Sequence, residues 1–557
     1  MAKISLKNFR KYETLDPLFL NDINIFVGKN NAGKSTVVKA IMLALDNLRS
    51  LRWESASRLE YGMNPGSLAP RPYFRFDAND FHNLHIGTFE RAKCNYIDEQ
   101  RISFCIEYRG IEFTIVVSGV TGEAQVSLPI DSIKIDFGYD TEHHPRRKGC
   151  YEFDFVNQTM TFSLEPEVKN EQESADSIND TIANIDTLLS EWEAELKVAM
   201  EKGDALAIAE LQPKIKKYQQ SKKTLLNRAA KSAGISVRET FPLYYHNDGV
   251  WTNHLAQYIR TFTKIRENES DGGTMLAGAR KNTWSDAAHK EIKAQREKLA
   301  SYVRVIDEAA RAIESAMDSI NVDYIQAHAE TQKLILSAEQ RQDINSRVIH
   351  EFYQENIQRG SKADRFVGYW LERFEIGKAL QIVPLDGEGY YVRVDTGSSN
   401  VHLADMGMGS IQLVILILRL ATIANRIEKS GQPWWVIIEE PEQNIHPMLQ
   451  SRLADLFKEF QKEFSSTLII ETHSEYLIRK TQVLVTEADF KKEEHLESDW
   501  PISIYYFPHE LNAQPYKMVY EVTGGFKNSF GEGFFDEAAN LDMEIIRKEM
   551  SQAKQIF

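Results

Sequence analysis

The amino-acid sequence, 557 residues long, predicts an α/β fold in which a mixed sheet carries an antiparallel β subdomain and is split by a long helical insertion. Three observations predict this fold. An apolar strand, a glycine-rich loop and a helical pattern follow one another at residues 23–49. Alternating apolar and polar residues then continue to about residue 164, which is typical of antiparallel strands. Two more apolar strands, at 434–440 and 466–473, stand near the other end of the chain.

The loop after the first strand, "VGKNNAGKST", carries a phosphate-binding pattern. Two glycines five positions apart are followed by Lys34 and Ser35, and the flanking segments "INIFV" and "TVVKAIMLALDNL" have strand and helix patterns. We expect amides at the helix start to face phosphate, Lys34 to neutralise it and Ser35 to hold Mg²⁺. A glycine turn that only joins strand to helix is the alternative. The predicted nucleotide-binding residues are Gly28, Asn30, Asn31, Ala32, Gly33, Lys34, Ser35 and Thr36.

Composition narrows the class of protein. The chain has 66 basic and 81 acidic residues, a net charge of −15, which argues against a protein that coats nucleic acid. Cys94, Cys105 and Cys150 have neither metal-site spacing nor a disulfide pattern, which suits a reducing compartment. The N-terminus lacks the apolar core of a secretion signal, and the most apolar segment, "LVILILRLATIA", is short and contains Arg419. We therefore expect a cytoplasmic protein with no membrane partner.

The region after residue 164 predicts a helical hairpin. Residues 165–201 carry eleven acidic side chains, and residues 211–238 carry eight basic ones and no acidic one. Apolar residues three or four apart form a seam on each arm, so an acidic helix folds back on a basic one. The seam consists of Ile178, Ile182, Ile185, Leu189, Trp192 and Leu196 on the first arm and Ile215, Tyr218 and Leu225 on the second.

A second long helical pattern begins at Ser285, with Ile292, Leu299, Ile306, Ile313 and Ile320 recurring every seven residues. This helix is either a rod that holds a partner or nucleic acid, or a subdomain that packs on its own chain. The expected domains are an N-terminal lobe (1–164), a coiled-coil-like helical hairpin (165–240), a helical subdomain (241–365) and a C-terminal lobe (366–557).

Acidic residues end the later strand "WWVIIEEPEQNIHP". Glu439 is placed to hold the Mg²⁺ shell, and Glu440 to orient and deprotonate an attacking water. The next strand, "STLIIETHSEYLI", reaches His473, whose neutral imidazole could hydrogen-bond the γ-phosphate or the water. Gly407 and Gly409 precede another helix, so the amides there form a second candidate anion site. The alternative for each strand is a structural one, with polar residues only marking its end.

Together these motifs resemble the ABC-type ATPases of the SMC, RecF and OLD group. The opening "ISLKNFRKYETL", "NIFVGKNNAGKST", "EEPEQNIHP" and "ETHSEYL" match their motifs, and the resemblance covers residues 1–90 and 366–540. It implies ATP and Mg²⁺ as cofactors, with Lys34 and Ser35 in Walker A, Glu439 and Glu440 in Walker B and His473 as the switch histidine. It also implies a homodimer or higher oligomer in which Gly407 and Gly409 reach the γ-phosphate bound by a second protomer.

The short tail, which contains "GFFDE", resembles the ATPase subunits of Septu anti-phage systems (PtuA), including retron-associated forms. That family implies an ATPase that controls a separate HNH-type nuclease subunit and has no nuclease activity of its own. Nucleic acid, either DNA or retron msDNA, is a further candidate partner. The alternatives are a RecF- or SMC-like DNA repair ATPase and an OLD-like, nuclease-associated ATPase.

Overall fold

A helix buried between two sheets organises the fold. This helix, α1 (Lys34–Arg49), has most of its side chains buried, and it contacts a largely parallel sheet on one side and an antiparallel sheet on the other. Apolar residues all round the helix suit burial on both sides. The computed structural model describes residues 2–49, 52–53, 72–77, 86–141, 144–164, 188–190, 192–197, 200, 211–216, 218, 237–242, 312–313, 315–326, 336–337, 343–386, 389–488, 490–531 and 534–556.

The strands are β1 (Ala2–Phe9), β2 (Tyr12–Leu20), β3 (Ile23–Gly28), β4 (Arg52–Trp53), β5 (Pro72–Arg75), β6 (Arg101–Tyr108), β7 (Ile111–Ser118), β8 (Ser127–Thr141), β9 (His144–Asp154), β10 (Thr159–Leu164), β11 (Val237–Pro242), β12 (Val322–Ile325), β13 (Leu336–Ser337), β14 (Ala379–Leu385), β15 (Gly389–Asp395), β16 (Asn400–His402), β17 (Trp435–Glu439), β18 (Thr467–Glu471), β19 (Ile502–Phe507) and β20 (Tyr516–Met518). The further helices are α2 (Phe89–Ala92), α3 (Ile344–Gln354), α4 (Lys362–Arg373), α5 (Met408–Ser430), α6 (Pro447–Phe464), α7 (Glu475–Glu487), α8 (Glu493–Asp499) and α9 (Glu537–Ile556).

The central sheet has the order β12–β17–β18–β3–β19–β20, and every pair except β19–β20 is parallel. Its strands are apolar on both faces, as expected for parallel strands covered by other layers. Phe26, Ile437 and Ile469 pack with α1 and the antiparallel sheet, whereas their neighbours in sequence belong to a second core that includes α4, α5, α6 and α7. The carboxyl ends of β3, β17 and β18 therefore meet at one edge, with α1 on one face and α5 on the other.

The antiparallel sheet has the order β11–β10–β9–β8–β7–β6–β1–β2, with β5 paired to β8 and β4 to β5. The period-two pattern that predicts this sheet appears in the burial of β6 and β7, where every second residue is buried. A smaller sheet combines β14, β15, β16 and β13 and lies beside α3 and α4. The structure thus has the mixed α/β architecture, with an antiparallel β subdomain, that the sequence predicts.

Part of the predicted hairpin lies within the described residues. Leu189 of the first arm and Ile215 of the second are buried against each other, and Trp192, Leu196 and Tyr218 pack around them. The rings of Trp192 and Tyr218 meet edge to face, with centroids 5.0 Å apart. These contacts show that the two arms pack together. The other predicted seam residues of the hairpin, Ile178, Ile182, Ile185 and Leu225, lie outside the described residues.

Two predicted domain boundaries need correction. The predicted hairpin (165–240) is wrong at its end, because residues 237–240 belong to β11, which pairs with β10 along its whole length. The predicted helical subdomain (241–365) is wrong at residues 322–325, which form β12, a parallel strand of the central sheet. Sequence periodicity missed β12 because a strand of four residues is too short for a recognisable pattern.

The end of the second helical pattern packs on its own chain. Ile313, Met317 and Ile320 are buried in the core that also contains α1 and the antiparallel sheet. These seam residues therefore belong to the protein core and do not form a free surface. The rest of that pattern, from Ser285 through Ile306, falls outside the described residues.

Helix α5 is the one described helix that is long and apolar enough to cross a membrane. Its most apolar window is 83% buried inside the protein. Burial by α3, α4, α6 and the central sheet accounts for its composition.

The register of β10 and β11 predicts that the hairpin is separable from the fold. Leu164 and Val237 are directly paired at the ends of these antiparallel strands, so a two-residue turn can replace residues 165–236. We expect an Asn-Gly replacement to unfold cooperatively on heating and to keep the nucleotide affinity of the full chain, measured by calorimetry. The matched control replaces 165–242, which also removes β11 and leaves β10 as an edge strand paired only with β9, and it should unfold at a lower temperature. Loss of nucleotide binding in a folded 165–236 replacement would contradict this boundary.

Candidate functional site

The loop between β3 and α1 needs glycine at two positions. Gly28 has φ +149°, and a Cβ there would lie 2.4 Å from the carbonyl oxygen of Phe507. Gly33 has φ +104°, and a Cβ there would lie 2.5 Å from the Tyr12 hydroxyl. Both backbone angles and both close approaches exclude larger residues. Asn31, at φ +62°, adopts the left-handed conformation that asparagine tolerates better than most residues.

A lysine outside the motif holds this loop in place. The Lys11 ammonium donates hydrogen bonds to the carbonyl oxygens of Ala32, at 2.7 Å, and Pro508, at 2.9 Å. Ala32 is buried, and its amide donates to the carbonyl of Lys29. The loop is therefore tied both to the start of β2 and to the segment after β19. Asn30 and Asn31 stay exposed at its tip.

The Lys34 ammonium lies at the centre of the site. It donates to the carbonyl oxygens of Gly28, at 2.9 Å, and Lys29, at 3.2 Å. It also lies 3.3 Å from His473 Nε2 and 3.8 Å from Glu471 Oε1. Burial lowers the pKa of Lys34, and the nearby carboxylates act in the opposite direction. The Lys34 side chain folds back over its own loop, so its ammonium group lies where the loop amides would hold phosphate.

Ser35 and two carboxylates form an oxygen-rich group next to Lys34. The Ser35 hydroxyl donates to Glu471 Oε1 at 2.9 Å. Glu471 is directly paired with Glu439 in the parallel register of β17 and β18. Burial raises the pKa of Glu471 to about 7, with Glu439 adding to the effect. Glu471 Oε2 is buried without a hydrogen-bond partner.

These donors fit Mg²⁺. Hydroxyl and carboxylate oxygens are its preferred ligands, and Mg²⁺ is usually held by one or two carboxylates together with substrate phosphates. Ser35, Glu439 and Glu471 supply such a set, and the unpartnered oxygen of Glu471 is available to it. Within the described residues no group of three or more His, Cys, Asp or Glu side chains is arranged to hold a metal ion.

Glu440 and His473 come together at the open side of the site. Glu440 has φ +42°, and its amide donates to the carbonyl of Glu471 at 2.7 Å, which turns the chain sharply after β17. Its Oε1 lies 3.7 Å from His473 Nε2, and the Gln443 amide donates to its Oε2. Both side chains are about one third exposed, so they remain accessible to water.

The His473 ring is favoured in its neutral form. Burial and the neighbouring Lys34 cation lower the pKa of His473, while Glu440 acts against them. The main chain at His473 is fixed because its amide donates to Glu442 Oε1 at 2.6 Å. Burial raises the pKa of Glu442. A neutral Nε2 facing the Lys34 ammonium acts as a hydrogen-bond acceptor there.

The second candidate anion site lies at the start of α5. Gly407 caps the helix with extended backbone, and a Cβ on it would meet open space. A Cβ on Gly409 would lie 2.4 Å from the carbonyl oxygen of Asn444, so glycine is needed for α5 to pack on the loop that follows β17. The contacts of Gly409 thus connect it to that loop, and the role of both glycines in binding phosphate stays a prediction.

Comparison with known proteins places the chain in a family. A family model described as "AAA ATPase domain" matches residues 1–478, which is most of the sequence. The chain belongs to the AAA ATPase domain family. The match spans the glycine loop, both acid-tipped strands and His473, so the cluster built around Lys34 is the candidate nucleotide site of this AAA ATPase domain.

Shorter similarities connect this AAA ATPase domain to RecF. The DNA replication and repair protein RecF of Bacillus cereus (strain G9842) is 30% identical over 122 residues, 20% of this chain and 29% of that one. RecF of Geobacillus sp. (strain WCH70) is 25% identical over 103 residues, 18% of this chain and 28% of that one. The matched segments span less than a third of these relatives.

Solved structures with some likeness are SMC heads. An Smc head domain from Pyrococcus furiosus, with an extended coiled coil and bound to the C-terminal domain of ScpA, has 13% identity and a TM-score of 0.30 over 98% of this chain and 100% of that one. The SMC head domain from Thermotoga maritima has 10% identity and a TM-score of 0.30 over 93% of this chain and 98% of that one.

Sequence reasoning missed several residues of the site. Glu471 stands at the end of an apolar strand just as Glu439 does, so the same pattern identifies it. Loop geometry, which leaves no periodic pattern in the sequence, positions Glu442, Gln443 and Lys11. Tyr324, whose hydroxyl donates to Glu439, comes from the unpredicted strand β12.

We predict that Glu471→Gln slows ATP hydrolysis. The amide keeps the shape but removes the charge that faces Ser35 and Lys34, so Mg²⁺-dependent ATP hydrolysis should fall about a hundredfold, comparable to the loss of one strong charged interaction in a catalytic site. The measurement is steady-state phosphate release at saturating ATP. Glu475→Gln, four residues later in the first turn of α7, is the matched control: its half-buried side chain pairs with Arg479 outside the Lys34 cluster, and the variant should hydrolyse ATP as wild type does. Wild-type turnover in Glu471→Gln would remove this carboxylate from the site.

Proposed function

We propose that this protein hydrolyses ATP with Mg²⁺ and uses the nucleotide cycle to control a separate HNH-type nuclease in a bacterial anti-phage complex. The observation that carries the ATPase part is the convergence of Lys34, Ser35, Glu440, Glu471 and His473 at one edge of the central sheet. These side chains come from three strand ends that are far apart in sequence. Their combination of cation, hydroxyl and carboxylates suits a nucleoside triphosphate.

The roles of the residues follow from their positions. The loop amides and Lys34 bind the β- and γ-phosphates, and Ser35 with Glu439 and Glu471 holds the metal. When bound, Mg²⁺ neutralises charge on the phosphates as the terminal bond breaks. Glu440, accessible and close to His473, orients the attacking water and takes its proton. His473, neutral and next to Lys34, hydrogen-bonds the γ-phosphate or the attacking water.

We further propose that two protomers share each ATP. Gly407 and Gly409 lie at the start of α5, where the first amides of a helix have no partner within the helix and can bind a phosphate held by a second copy. A homodimer or larger homo-oligomer with ATP between the heads completes the site. The resemblance to SMC- and RecF-type ATPases supports this arrangement.

Glu440→Gln should separate binding from hydrolysis. The amide cannot accept the proton of water, so ATP remains bound and the ATP-joined assembly accumulates. Sedimentation with Mg²⁺ and ATP should show a larger species than the nucleotide-free variant. Glu428→Gln, exposed near the end of α5, is the control and should turn ATP over normally. Equal mass with and without ATP would refute the shared site.

The regulatory role rests on two supports. The tail "GFKNSFGEGFFDE" resembles the Septu ATPase subunit, which acts with a separate nuclease. The helix that follows it, α9, exposes Leu541, Met543, Ile545 and Ile546 to solvent, each by more than half. Exposed apolar groups of this kind are typical of surfaces that contact another protein. A cytoplasmic location, with DNA or retron msDNA as a further partner, belongs to the same proposal.

A RecF-like role in DNA repair is the second candidate. The similarity to RecF over 122 residues favours it. The two functions differ in their genetic consequence: a repair ATPase protects cells against DNA damage, whereas a defence ATPase protects them against phage. The two are told apart by assaying both phenotypes in the same strain.

Lys34→Ala should abolish phage protection while leaving the protein soluble. It removes the ammonium that faces the phosphates, so nucleotide state no longer controls the nuclease. Lys29→Ala, an exposed lysine in the same loop, is the matched control and should protect as wild type. The readout is plaque formation on cells that carry the native operon. The purified chain alone, given Mg²⁺ or Mn²⁺ and DNA or RNA, should cut nothing. Robust cutting by it would favour the OLD-like alternative.

A further inference from the structure

Strand β12 brings an unpredicted tyrosine to the nucleotide site. The Tyr324 hydroxyl donates to Glu439 Oε2 at 2.5 Å. In the parallel register, Tyr324 is paired with Ile437, and Glu439 lies two residues further along β17. Residues two apart on a strand point to the same face, so Tyr324 and Glu439 share the face that carries α1. The contact is thus a consequence of strand pairing rather than of a mobile loop.

The Tyr324 hydroxyl is the donor in this contact, because an ionised carboxylate can only accept hydrogen bonds. A carboxylate has acceptor capacity left on its second oxygen, so Oε1 stays available to a metal.

A buried ion pair fixes the strand that carries this tyrosine. The preceding residue, Asp323, accepts from Arg419 of α5 at 2.5 Å, and both side chains are buried. Arg419 also donates to Glu351 of α3. Asp323 faces α5 and Tyr324 faces α1, because neighbouring residues of a strand point to opposite faces. β12 is therefore held from one side while it contacts Glu439 on the other.

We infer that Tyr324 is a positioning residue for ATP hydrolysis, which holds Glu439 in the orientation that binds the magnesium of the nucleotide. This inference rests on the proposed ATPase activity of the site. Glu439 and Glu471 are paired on adjacent strands, and two carboxylates side by side repel each other. A fixed donor on Oε2 keeps Glu439 from turning away from its neighbour. Ser35 does the same for Glu471.

The test compares Tyr324→Phe with Tyr520→Phe. The first keeps the ring and removes only the hydroxyl, and the second removes a buried tyrosine hydroxyl, hydrogen-bonded to Thr481, away from the site. For Tyr324→Phe the Mg²⁺ concentration that gives half-maximal hydrolysis should rise about tenfold, the effect of losing a hydrogen bond to a charged group. ATP binding without Mg²⁺ should not change. Tyr520→Phe should leave the Mg²⁺ requirement as in wild type.

A second readout does not depend on turnover. In the Glu440→Gln background, Mg²⁺ should tighten ATP binding less when Tyr324→Phe is added, as measured by calorimetry. Adding Tyr324→Phe to Glu439→Gln should have no further effect on the Mg²⁺ requirement, because the hydroxyl then has no carboxylate to position.

The outcomes separate this inference from the proposed function. Wild-type hydrolysis with an unchanged Mg²⁺ requirement in Tyr324→Phe would overturn the positioning role and leave the ATPase intact. An equal change in Tyr520→Phe would also overturn it, since the effect would then be a general loss of stability. Absence of Mg²⁺-dependent hydrolysis in the wild-type protein would overturn the proposed function and the inference with it.

Discussion

The pairing of Glu439 with Glu471 on adjacent parallel strands is the constraint on which the site depends. Neighbouring strands lie about 4.8 Å apart, and two unit charges at that distance repel by on the order of 3 kcal/mol in an effective dielectric of 20. Lys34, 3.8 Å from Glu471, gives an attraction of similar size. Burial still raises the pKa of Glu471 to about 7, so one cation does not fully offset burial and repulsion together. The cluster is therefore one that favours a further cation.

The face of the sheet explains which residues take part. Glu439 and Glu471 point to the side that carries α1, as do Phe26, Ile437 and Ile469 in the core below them. Ser35 sits in the first turn of α1, so its hydroxyl reaches Glu471 from that side. The opposite face is filled by α5 and the helices around it, with apolar side chains from every strand of the sheet. The carboxylates of Glu439 and Glu471 therefore lie on one side of one edge of the sheet, whereas the buried Asp323–Arg419 ion pair lies on the α5 side.

A feature of the fold or the site could be predicted from the sequence when its pattern lies within a short stretch of the chain. The glycine loop and the Glu439–Glu440 pair could be predicted because each lies in a short local pattern, and the structure brings Lys34 and Ser35 of that loop next to the ends of β17 and β18. The pairing of the hairpin arms was also predictable from the spacing of Leu189, Trp192 and Ile215.

The missed features need tertiary structure. Strand β12 has four residues, and it is recognised as a strand only because it pairs with β17, more than a hundred residues later. Local periodicity cannot find such a strand, so Tyr324 and Asp323 could not be assigned to the site. Glu471 was within reach of sequence reasoning, but its role became visible only with the Ser35 hydroxyl beside it. Lys11 could not be identified from the sequence, because it binds backbone carbonyl oxygens and no sequence pattern indicates such a contact.

The position of β12 connects the site to the segment before it. Helical residues 315–318 lead into the strand almost directly, and Met317 and Ile320 are buried in the core beside α1. The Ser319 carbonyl accepts from the Tyr108 hydroxyl at 2.7 Å, which fixes that turn to the antiparallel sheet. Within a few residues the chain thus contacts the antiparallel sheet, α5 through Asp323, and Glu439 through Tyr324. Since packed interiors do not deform continuously, a displacement of this helical end would have to move β12 as a unit. Such a displacement would reach Glu439 through Tyr324, whose hydroxyl donates to it.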